Sequence, residues 1–312
     1  MVDFNFNGQT NYYKGKVRDI YTIQNKWLVM IVSDRLSAFD VILPRDIPNK
    51  GQILNEIAAY MLNETIDICK NWLMLTPAPN VSIGKLCIPF KIEMVVRGNL
   101  TGHAWRTYSR GGRILCGVDL PGPMKENDYF PSPIITPSSK ADAGHDADIT
   151  KEQIIDQHLA TVEEYEQLEK VSLALFEKGK QIALSRNLIL ADTKYEFGKY
   201  NGEIYLMDEV HTPDSSRYFY ADGFNERQLK GEPQKQLSKE FVREWLMINN
   251  FMGLEGQTIP FISDDWLATI RNRYVELYEK LIGKTFVAQS FDQQELQVKI
   301  NRSINELEEN IL

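Results

Sequence analysis

The sequence predicts an α+β fold in which strands come first along the chain, a mixed segment follows and helices come last. Strand-like runs dominate roughly the first 90 residues, and amphipathic patterns with a helical period dominate the C-terminal part. Between them lies a long stretch rich in proline, glycine and serine. Strands and helices segregated in this way are typical of α+β proteins. We predict an N-terminal β-rich lobe over residues 1–95 and a larger α+β domain over residues 96–312.

The N-terminal lobe contains three strand-like runs, at residues 14–23, 26–34 and 85–98. They are rich in β-branched and aromatic residues and are bounded by glycine, asparagine or proline, which is the usual pattern of strands. Residues 53–65 lie between the second and third runs and have the apolar spacing of a short helix.

Residues 109–149 contain too much proline, glycine and serine for long regular elements. Irregular segments of this length are usually functional in a compact protein. A long helix is predicted from Thr150 to about residue 186, because Thr150 and Gln153 have the spacing of a capping box. Its apolar residues recur near a helical period at Ile154, Leu159, Val162, Leu168, Val171 and Leu175.

Two amphipathic helices are predicted farther along the chain, at residues 238–250 and 263–283. Ser263 is the candidate N-cap of the second helix, and Gly283 follows its last apolar residue. The chain contains no internal repeat.

The composition is that of an ordinary folded protein. Hydrophobic residues make up 43% of the 312 residues and charged residues 25%, which excludes a disordered or fibrous chain and is enough for a sizeable core. The net charge of −8 argues against a general nucleic-acid binder, because such proteins carry a basic surface. A few cations in a cleft can still bind an anionic small molecule.

Cys69, Cys87 and Cys116 are far apart and form no CxxC pair, so neither a disulfide framework nor a zinc site is indicated. No run approaches the ~20 apolar residues of a membrane span, and the first residues lack the pattern of a signal peptide. We therefore expect a cytoplasmic protein without nucleic-acid or membrane partners.

Charge is concentrated in the most strand-like segment of the chain, which begins at residue 188. Residues two apart share a face of a strand, so Asp192, Lys194 and Glu196 line one face. Residues 193, 195 and 197 line the other. Asn201-Gly202 is the dipeptide most favoured in a two-residue hairpin turn, so we predict that residues 203–210 return antiparallel.

The returning strand brings Asp208 and Glu209 beside the first. A simple two-residue turn pairs Lys194 with Glu209 and places Asp208 on the opposite face, whereas a one-residue bulge or a different turn exchanges the two carboxylates. Close carboxylates repel unless a cation neutralises them. Mg²⁺ suits this arrangement, because it binds one or two carboxylates together with phosphate and water. The alternative is a surface hairpin with cross-strand Lys–Glu pairs.

Three other segments carry candidate binding residues. Gly15, between Lys14 and Lys16, precedes a strand. The turn there either lets backbone amides and a lysine approach phosphates or is an ordinary turn without a ligand. A second strand ends in Asp34, Arg35, Ser37 and Asp40, which suits a polyhydroxylated or charged ligand or a local turn. A third ends in Arg97, followed by Gly98, Gly102 and His103, which suits a phosphate or a surface ion pair.

Residues 136–150 form a polar loop that contains Lys140, Asp142, His145 and Asp146 and has the composition of a mobile lid. Neither GxxxxGK[ST] nor GxGxxG occurs in the sequence, which excludes the Walker and Rossmann designs for binding a nucleotide.

The ordered segments "GKVRDIY", "SDRLSAFDVILP", "VVRGNLTGHAW", "TPSSKADAGHD", "LILADTKYEFG" and "DEVHTPDSSRYF" together resemble the SAICAR synthetase family. They extend from about residue 14 to residue 219. The resemblance implies an antiparallel N-terminal lobe that covers ATP and a larger domain with C-terminal helices, with the ATP cleft between them. It also implies an ATP-dependent ligase of purine biosynthesis, which joins carboxyaminoimidazole ribonucleotide (CAIR) to L-aspartate.

The resemblance assigns roles to particular residues. It implies catalytic roles for Lys194, Glu196 and Asp208, of which Glu196 and Asp208 would bind Mg²⁺. The implied ATP-binding residues are Gly15, Lys16, Val17, Arg18, Glu93, Val95 and Lys194. The implied substrate-binding residues are Ser37, Asp40, Arg97, His103, Lys140, Asp214, Ser216 and Arg217. His103 stands where the family often has serine, which changes one contact to the ribonucleotide phosphate.

Two alternatives to the ligase stay open at this stage. One is a small-molecule or lipid kinase, because the family's ATP lobe resembles that of kinases, although the sequence has no HRD-type loop and no DFG motif. The other is a nucleotide-binding protein that has lost turnover, which the presence of Lys194, Glu196 and Asp208 disfavours. The long chain with its inserted loop favours a monomer over a homodimer.

Overall fold

The computed structural model describes residues 4–140 and 147–309. The chain forms two compact units. The first contains residues 4–63, 71–87 and 242–309, and the second contains residues 64–70, 88–140 and 147–241. This division differs from the predicted boundary at residue 95, because the chain leaves the first unit at residue 87 and returns to it at residue 242.

The first unit contains strands β1 Gln9–Lys14, β2 Arg18–Ile23, β3 Trp27–Val32, β4 Ser37–Ala38, β5 Val41–Ile42, β6 Leu73–Ala78 and β7 Val81–Lys85, with helix α1 Lys50–Glu64 after β5. The second contains β8 Ile88–Asn99, α2 Gly102–Ser109, β9 Ile114–Leu115, β10 Val118–Asp119, β11 Tyr129–Ile135, β12 Ser138–Ser139, β13 Ala147–Asp148, α3 Lys151–Asp156, α4 Val162–Ser185, β14 Leu188–Tyr200, β15 Glu203–Met207, β16 Ser216–Tyr220 and α5 Phe224–Lys230. Helices α6 Glu240–Ile248, α7 Asp264–Ile282 and α8 Gln293–Glu309 follow.

A five-stranded antiparallel sheet in the order β1-β2-β3-β7-β6 forms the centre of the first unit. Helix α8 packs against it, because Ile300, Ile304 and Leu307 form an apolar stripe at helical spacing that joins the sheet's core residues, such as Ile23 and Val81. This packing explains why the C-terminal helix belongs to the first unit and not, as the sequence suggested, to the second.

A seven-stranded sheet forms the centre of the second unit, with the order β13-β12-β8-β14-β15 and with β11 and β16 as further partners of β8 and β14. Its two long central strands, β8 and β14, pair antiparallel along most of their length. Helix α4 packs on both of these strands. Side chains that alternate along β8 and β14 therefore point either toward α4 or toward the opposite, more open face.

The hairpin predicted at Asn201-Gly202 is confirmed. Both residues have left-handed backbone angles, with φ of 53° and 82°, which is the requirement of a type I′ turn. The register runs without interruption from Tyr200 opposite Glu203 to Glu196 opposite Met207. The hairpin therefore has a simple two-residue turn and no bulge.

The single helix predicted from Thr150 to about residue 186 is wrong, because the chain forms two helices there. The predicted capping box of Thr150 and Gln153 begins the short helix α3. A second capping box, formed by Thr161 and Glu164, begins α4. Two capping boxes eleven residues apart require two helix starts, and between them the chain turns through His158, with a φ of 56°.

Two other predictions need smaller corrections. Helix α1 begins at Lys50, three residues before the predicted start at Ile53, because the Asp34 carboxylate accepts hydrogen bonds from the Asn49 and Gly51 amides and anchors its first turn. The segment 109–149 contains the short strands β9 to β13, most of two residues, within otherwise irregular chain. None of the helices in residues 4–140 and 147–309 has the length and apolarity needed to cross a membrane.

Candidate active site

The facing strands β8 and β14 place acidic and basic side chains in contact. Glu196 lies directly opposite Glu93, and Lys194 lies opposite Val95. The Lys194 Nζ atom is 2.6 Å from Glu93 Oε1 and 2.6 Å from Glu196 Oε1. Lys140 donates to the other oxygen of Glu196. We call Glu93, Lys140, Lys194, Glu196 and Asp208 the lysine–carboxylate cluster.

The charges of this cluster stabilise one another. Burial alone would lower the pKa of Lys194, but the carboxylates of Glu196, Glu93 and Asp208 outweigh burial and raise this pKa well above its ordinary value. Burial would likewise raise the pKa of Glu196, but Lys194 and Lys140 lower it well below its ordinary value. At neutral pH the cluster therefore consists of fixed charges held in place by ion pairs.

Asp208 reaches the cluster through its backbone conformation. Strand β15 ends at Met207, and Asp208 has a left-handed φ of 54° that turns the chain away from the hairpin register. Its carboxylate raises the pKa values of both Lys194 and Lys140, so it lies within electrostatic range of them. Glu209 is buried and accepts a hydrogen bond of 2.6 Å from Thr212 Oγ1. Asp208, and not Glu209, is thus the carboxylate of this pair whose charge acts on Lys194.

The donor set of the cluster is compatible with Mg²⁺ only when a ligand adds oxygen atoms. Residues 4–140 and 147–309 contain no group of three or more His, Cys, Asp or Glu side chains arranged to hold a metal ion. Both oxygens of Glu196 are bound by lysines. Mg²⁺ normally binds one or two carboxylates and completes its shell with phosphate and water. Glu196 and Asp208 are two carboxylates available here.

A second charged group lies on the same two strands, four residues from the first. Asp192 lies opposite both Arg97 of β8 and Arg217 of β16. Its Oδ2 atom accepts from Arg217 Nη1 and, at 3.3 Å, from Arg97 Nη1. Arg97 Nε also donates to Thr136 Oγ1 at 2.8 Å. All of these side chains are buried, so the two guanidinium groups have fixed positions.

The N-terminus of α2 lies against Arg217. A Cβ atom on Gly102 would be 2.6 Å from Arg217 Nη2, and Gly102 has a φ of 56°, so only glycine fits there. Thr101 is the N-cap, but its buried Oγ1 atom has no hydrogen-bond partner among the described residues. We call Arg97, Thr101, Gly102 and Arg217 the arginine cradle. Guanidinium groups beside free helix amides are a typical anion site.

His103 is the second residue of α2. Its Nε2 atom is 2.7 Å from Asp148 Oδ2, and this hydrogen bond lowers the pKa of Asp148. The imidazole is thus at the edge of the arginine cradle but is held by a carboxylate of β13. The structure places His103 near the predicted phosphate site with one ring nitrogen already engaged.

Two further predicted substrate residues have internal partners. Ser216 Oγ shares a buried hydrogen bond of 2.7 Å with Thr193 Oγ1, which ties β16 to β14. The side chain of Asp214 is almost completely buried, and its Oδ2 atom is 3.5 Å from Lys239 Nζ. Both residues precede Arg217 and hold its segment in place.

The predicted ATP-binding turn of the first unit is held by several hydrogen bonds. Gly15 N donates to Arg18 O at 2.8 Å and closes the turn between β1 and β2. Arg35 donates to the Gly15 and Lys16 carbonyl oxygens at 3.1 and 3.0 Å, and Ser33 Oγ donates to Val17 O at 2.8 Å. The carbonyl oxygens of residues 15–17 are therefore fixed by side chains that the sequence did not assign to this turn.

Lys16 forms an ion pair with Asp40, although the resemblance assigned them to different ligands. Asp40 has a φ of 62° in the tight turn between β4 and β5, where Ser37 pairs with Ile42. Of the candidate loop residues, Asp142, His145 and Asp146 lie outside the described residues.

Comparison with known proteins decides the family. The sequence model of SAICAR synthetase matches residues 11–255. The chain is 61% identical to the phosphoribosylaminoimidazole-succinocarboxamide synthase of Bacteroides thetaiotaomicron over 287 residues, which cover 92% of this chain and 91% of the relative. The chain belongs to the SAICAR synthetase family. The corresponding synthase of Cytophaga hutchinsonii is 58% identical, with 91% of both chains covered.

Solved structures of SAICAR synthetases have the same fold. The structure of the Saccharomyces cerevisiae SAICAR synthase in complex with SAICAR superposes with a TM-score of 0.77 at 30% identity, covering 92% of this chain and 99% of that one. A SAICAR synthetase in complex with ADP superposes with a TM-score of 0.69 at 22% identity, covering 89% and 100% of the two chains. The predicted α+β fold of the family is confirmed.

The sequence did not reveal the roles of three residues that hold this site. Asp192 was placed on the charged face of β14, but its role between Arg97 and Arg217 depends on the pairing of three strands. Glu240 contacts Arg217 from 23 positions farther along the chain. Arg35 was noted as a ligand candidate, yet it braces the turn before β2.

His211 was also missed. It is completely buried, and its Nε2 atom is 2.7 Å from the Tyr195 hydroxyl. Tyr195 lies between Lys194 and Glu196 in sequence, but its side chain is on the opposite face of β14. A Cβ atom on Gly179 of α4 would be 2.9 Å from His211 Nδ1 and closer to two other ring atoms. Burial lowers the pKa of His211 to about 3, so the imidazole is neutral. It supports the segment that leads from Asp208 to Arg217.

Proposed function

We propose that this chain joins CAIR to L-aspartate at the expense of ATP and yields SAICAR, ADP and phosphate, a step of de novo purine biosynthesis. One observation carries the proposal beyond family membership: the lysine–carboxylate cluster and the arginine cradle lie on the same two strands, with Glu196 opposite Glu93 and Asp192 opposite Arg97. Four residues of strand separate them, which is about 13 Å. This spacing suits a ligand with a phosphate at one end and a reacting carboxylate at the other.

The chemistry requires activation of a carboxylate. An oxygen of the CAIR carboxylate attacks the γ-phosphorus of ATP, the bond to the β-phosphate oxygen breaks, and ADP leaves. The amine of aspartate then attacks the carbonyl carbon of the acyl phosphate, the carbon–oxygen bond breaks, and phosphate leaves as the amine loses a proton. Phosphoryl transfer needs positioned positive charge more than a protein nucleophile. Lys194, fixed by Glu93 and Glu196, supplies such a charge.

Glu196 and Asp208 would hold Mg²⁺ when ATP is bound. The ion would neutralise charge on the phosphate oxygens during transfer. For Mg²⁺ to reach Glu196, Lys140 has to release one carboxylate oxygen, since both oxygens of Glu196 are bound by lysines. Lys140, on the more exposed side of the cluster, is the lysine that can move and then meet a substrate carboxylate.

The ribonucleotide phosphate would bind in the arginine cradle, where Arg97 and Arg217 supply donors and the α2 amides supply a positive dipole end. Thr101 Oγ1, buried and without a partner among the described residues, is a further donor for the same phosphate. The other substrate contacts we propose are Ser37, Asp40, His103, Lys140, Asp214 and Ser216. The ATP contacts we propose are Gly15, Lys16, Val17, Arg18, Glu93, Val95 and Lys194.

The test is the release of ADP from ATP and Mg²⁺ with CAIR or L-aspartate omitted in turn. We expect release at full rate only when both are present, together with formation of SAICAR. Release that persists without CAIR would indicate an ATPase or a kinase and would reject the ligase. Omission of Mg²⁺, with EDTA added, should abolish release in every mixture.

We also propose that the protein works in the cytoplasm as a monomer. Cys69, Cys87 and Cys116 are free, and burial raises the pKa of each thiol to about 11, so none is a reactive thiolate. Sedimentation equilibrium at micromolar concentration should give the mass of a single 36.0 kDa chain. A mass twice as large would establish the homodimer.

A further inference from the structure

Glu240 is a buried carboxylate that contacts two arginines from different elements. It is the first residue of α6 and lies within the second unit. Its Oε2 atom is 3.0 Å from Arg217 Nη2, and its Oε1 atom is 3.5 Å from Arg106 Nη1. Arg217 belongs to β16 and Arg106 to α2, so one carboxylate joins a strand to a helix.

Arg217 is held by this carboxylate in one orientation. Asp192 accepts from its Nη1 atom, and Glu240 accepts from its Nη2 atom. The backbone of Gly102 covers the guanidinium, since a Cβ atom there would be 3.0 Å from Arg217 Cζ. A planar guanidinium fixed at both ends and covered on one side can offer its remaining donors in only one direction.

The second arginine ties the helix to the same carboxylate. Arg106 lies in the last turn of α2, whose first residue is Gly102. A helix of eight residues is not stable by itself and takes its position from tertiary contacts. Glu240 is such a contact, so it sets the position of the α2 amides relative to Arg217.

Loss of the Glu240 charge would have two opposite effects. The region around Arg97, Arg106 and Arg217 would become more positive, which favours binding of an anion. Arg217 and α2 would also lose their common anchor, which disfavours binding of an anion. Glu126 lies within electrostatic range of Arg217, Arg106 and Glu240, and burial, with a contribution from Glu240, raises its pKa. Misplacement by 1 Å can cost about 100-fold, more than one screened charge contributes.

We propose that Glu240 is a positioning residue for a phosphomonoester: it aligns Arg217 with the N-terminus of α2, and this alignment creates the affinity for the ribonucleotide phosphate. The inference rests on the proposed function, because it concerns the phosphate of the same substrate. It predicts an effect confined to the phosphate group, which a general role in stability would not produce.

The experiment compares the ribonucleotide CAIR with its 5′-dephosphorylated nucleoside by isothermal titration calorimetry. The wild-type chain should bind CAIR much more tightly than the nucleoside. In Glu240→Ala we expect the Kd of CAIR to rise by about 10- to 100-fold, with the Kd values of the nucleoside and of ATP unchanged. Glu240→Gln keeps an acceptor oxygen and should restore most of the affinity. Glu226→Gln, which breaks an exposed ion pair with Lys230, is the control.

Arg106→Gln tests the same alignment from its other end and leaves Glu240 and Arg217 in place, so it also serves if Glu240→Ala fails to fold. It should weaken CAIR binding, and its effect should not add to that of Glu240→Ala. Unchanged or tighter CAIR binding in both variants would overturn this inference about Glu240 and leave the proposed phosphate site standing. Equal affinity of the wild-type chain for CAIR and its nucleoside would overturn the proposed phosphate site as well.

Discussion

Lys194 and Glu196 lie two residues apart on the same face of β14, and Lys194 Nζ is 2.6 Å from Glu196 Oε1. Residues 193, 195 and 197, which alternate with them, are buried on the opposite face. The strand thus supports a core on one side and a charged site on the other. Because Lys140 takes the second oxygen of Glu196, this carboxylate is the centre of the lysine–carboxylate cluster.

Replacement of Glu196 by glutamine should abolish turnover with little loss of stability. The amide keeps the shape of the side chain but removes the charge that holds both lysines and that would bind Mg²⁺. We expect ADP release in the complete mixture to fall by at least about 100-fold, with the melting temperature changed by only a few degrees. Glu203→Gln, which breaks the exposed ion pair with Lys70, is the control and should keep full activity. Full activity in Glu196→Gln would remove Glu196 from the site.

Replacement of Arg217 by lysine should weaken CAIR binding much more than ATP binding. Lysine keeps the charge beside Asp192 and Glu240 but lacks the planar fork that reaches both carboxylates and a phosphate. We expect the Kd of CAIR to rise by about 10- to 100-fold, as for a lost charged hydrogen bond of ~1.5–3 kcal/mol. Titration calorimetry with each ligand measures the difference. An equal loss of ATP affinity would contradict the assignment.

Gly179→Ala should destabilise the fold because its new methyl group would collide with the His211 imidazole. Overpacking of this kind costs about 1–3 kcal/mol. Urea unfolding should show a lower midpoint with an unchanged slope. In the double variant with His211→Asn, which removes the ring, the two costs should be less than additive. Simple additivity would show that the ring does not cause the loss.

Stability should fall as pH decreases from about 6.5 to about 4, in part because of His211. Burial lowers the pKa of His211 to about 3, so the folded protein keeps this imidazole neutral where the unfolded chain protonates it. The unfolded state binds more protons in this window, and stability therefore rises with pH by up to about 1.4 kcal/mol per unit from this residue.

Urea unfolding at several pH values checks this contribution. In His211→Asn the dependence on pH should decrease by close to one proton, since asparagine does not titrate and tolerates the left-handed backbone of this position. Asp and Glu residues act in both proteins and cancel in the comparison. Identical pH dependence of the two proteins would show that His211 is accessible to protons in the folded state.

The sequence predicted the charged hairpin well because its signals are local. Alternation of residue types assigns faces to a strand, and Asn201-Gly202 specifies the turn. The orientation of Asp208 could not be predicted, because the register left two possibilities. The simple two-residue turn is the one that forms, but β15 ends at Met207 and a left-handed φ takes Asp208 out of the hairpin register, so its charge still acts on Lys194.

Helix boundaries show the same limit. The apolar period over residues 154–175 continues across two helices, so periodicity alone predicted one. The second capping box, Thr161 with Glu164, was a local signal that could have divided it. The position of α8 had no local signal, since its apolar stripe fits any exposed apolar surface. Packing against the first sheet decided it.

The sequence by itself determined the fold class, the family resemblance and most of the residues with charges suited to phosphates, because these depend on residue types and short spacings. Tertiary structure alone decided which charges meet. Asp192 joins Arg97 to Arg217 through strand pairing, Glu240 joins Arg217 to α2, and Arg35 fixes the turn at Gly15. These partners are distant along the chain, and only the packed sheets and helices bring their side chains within hydrogen-bonding distance.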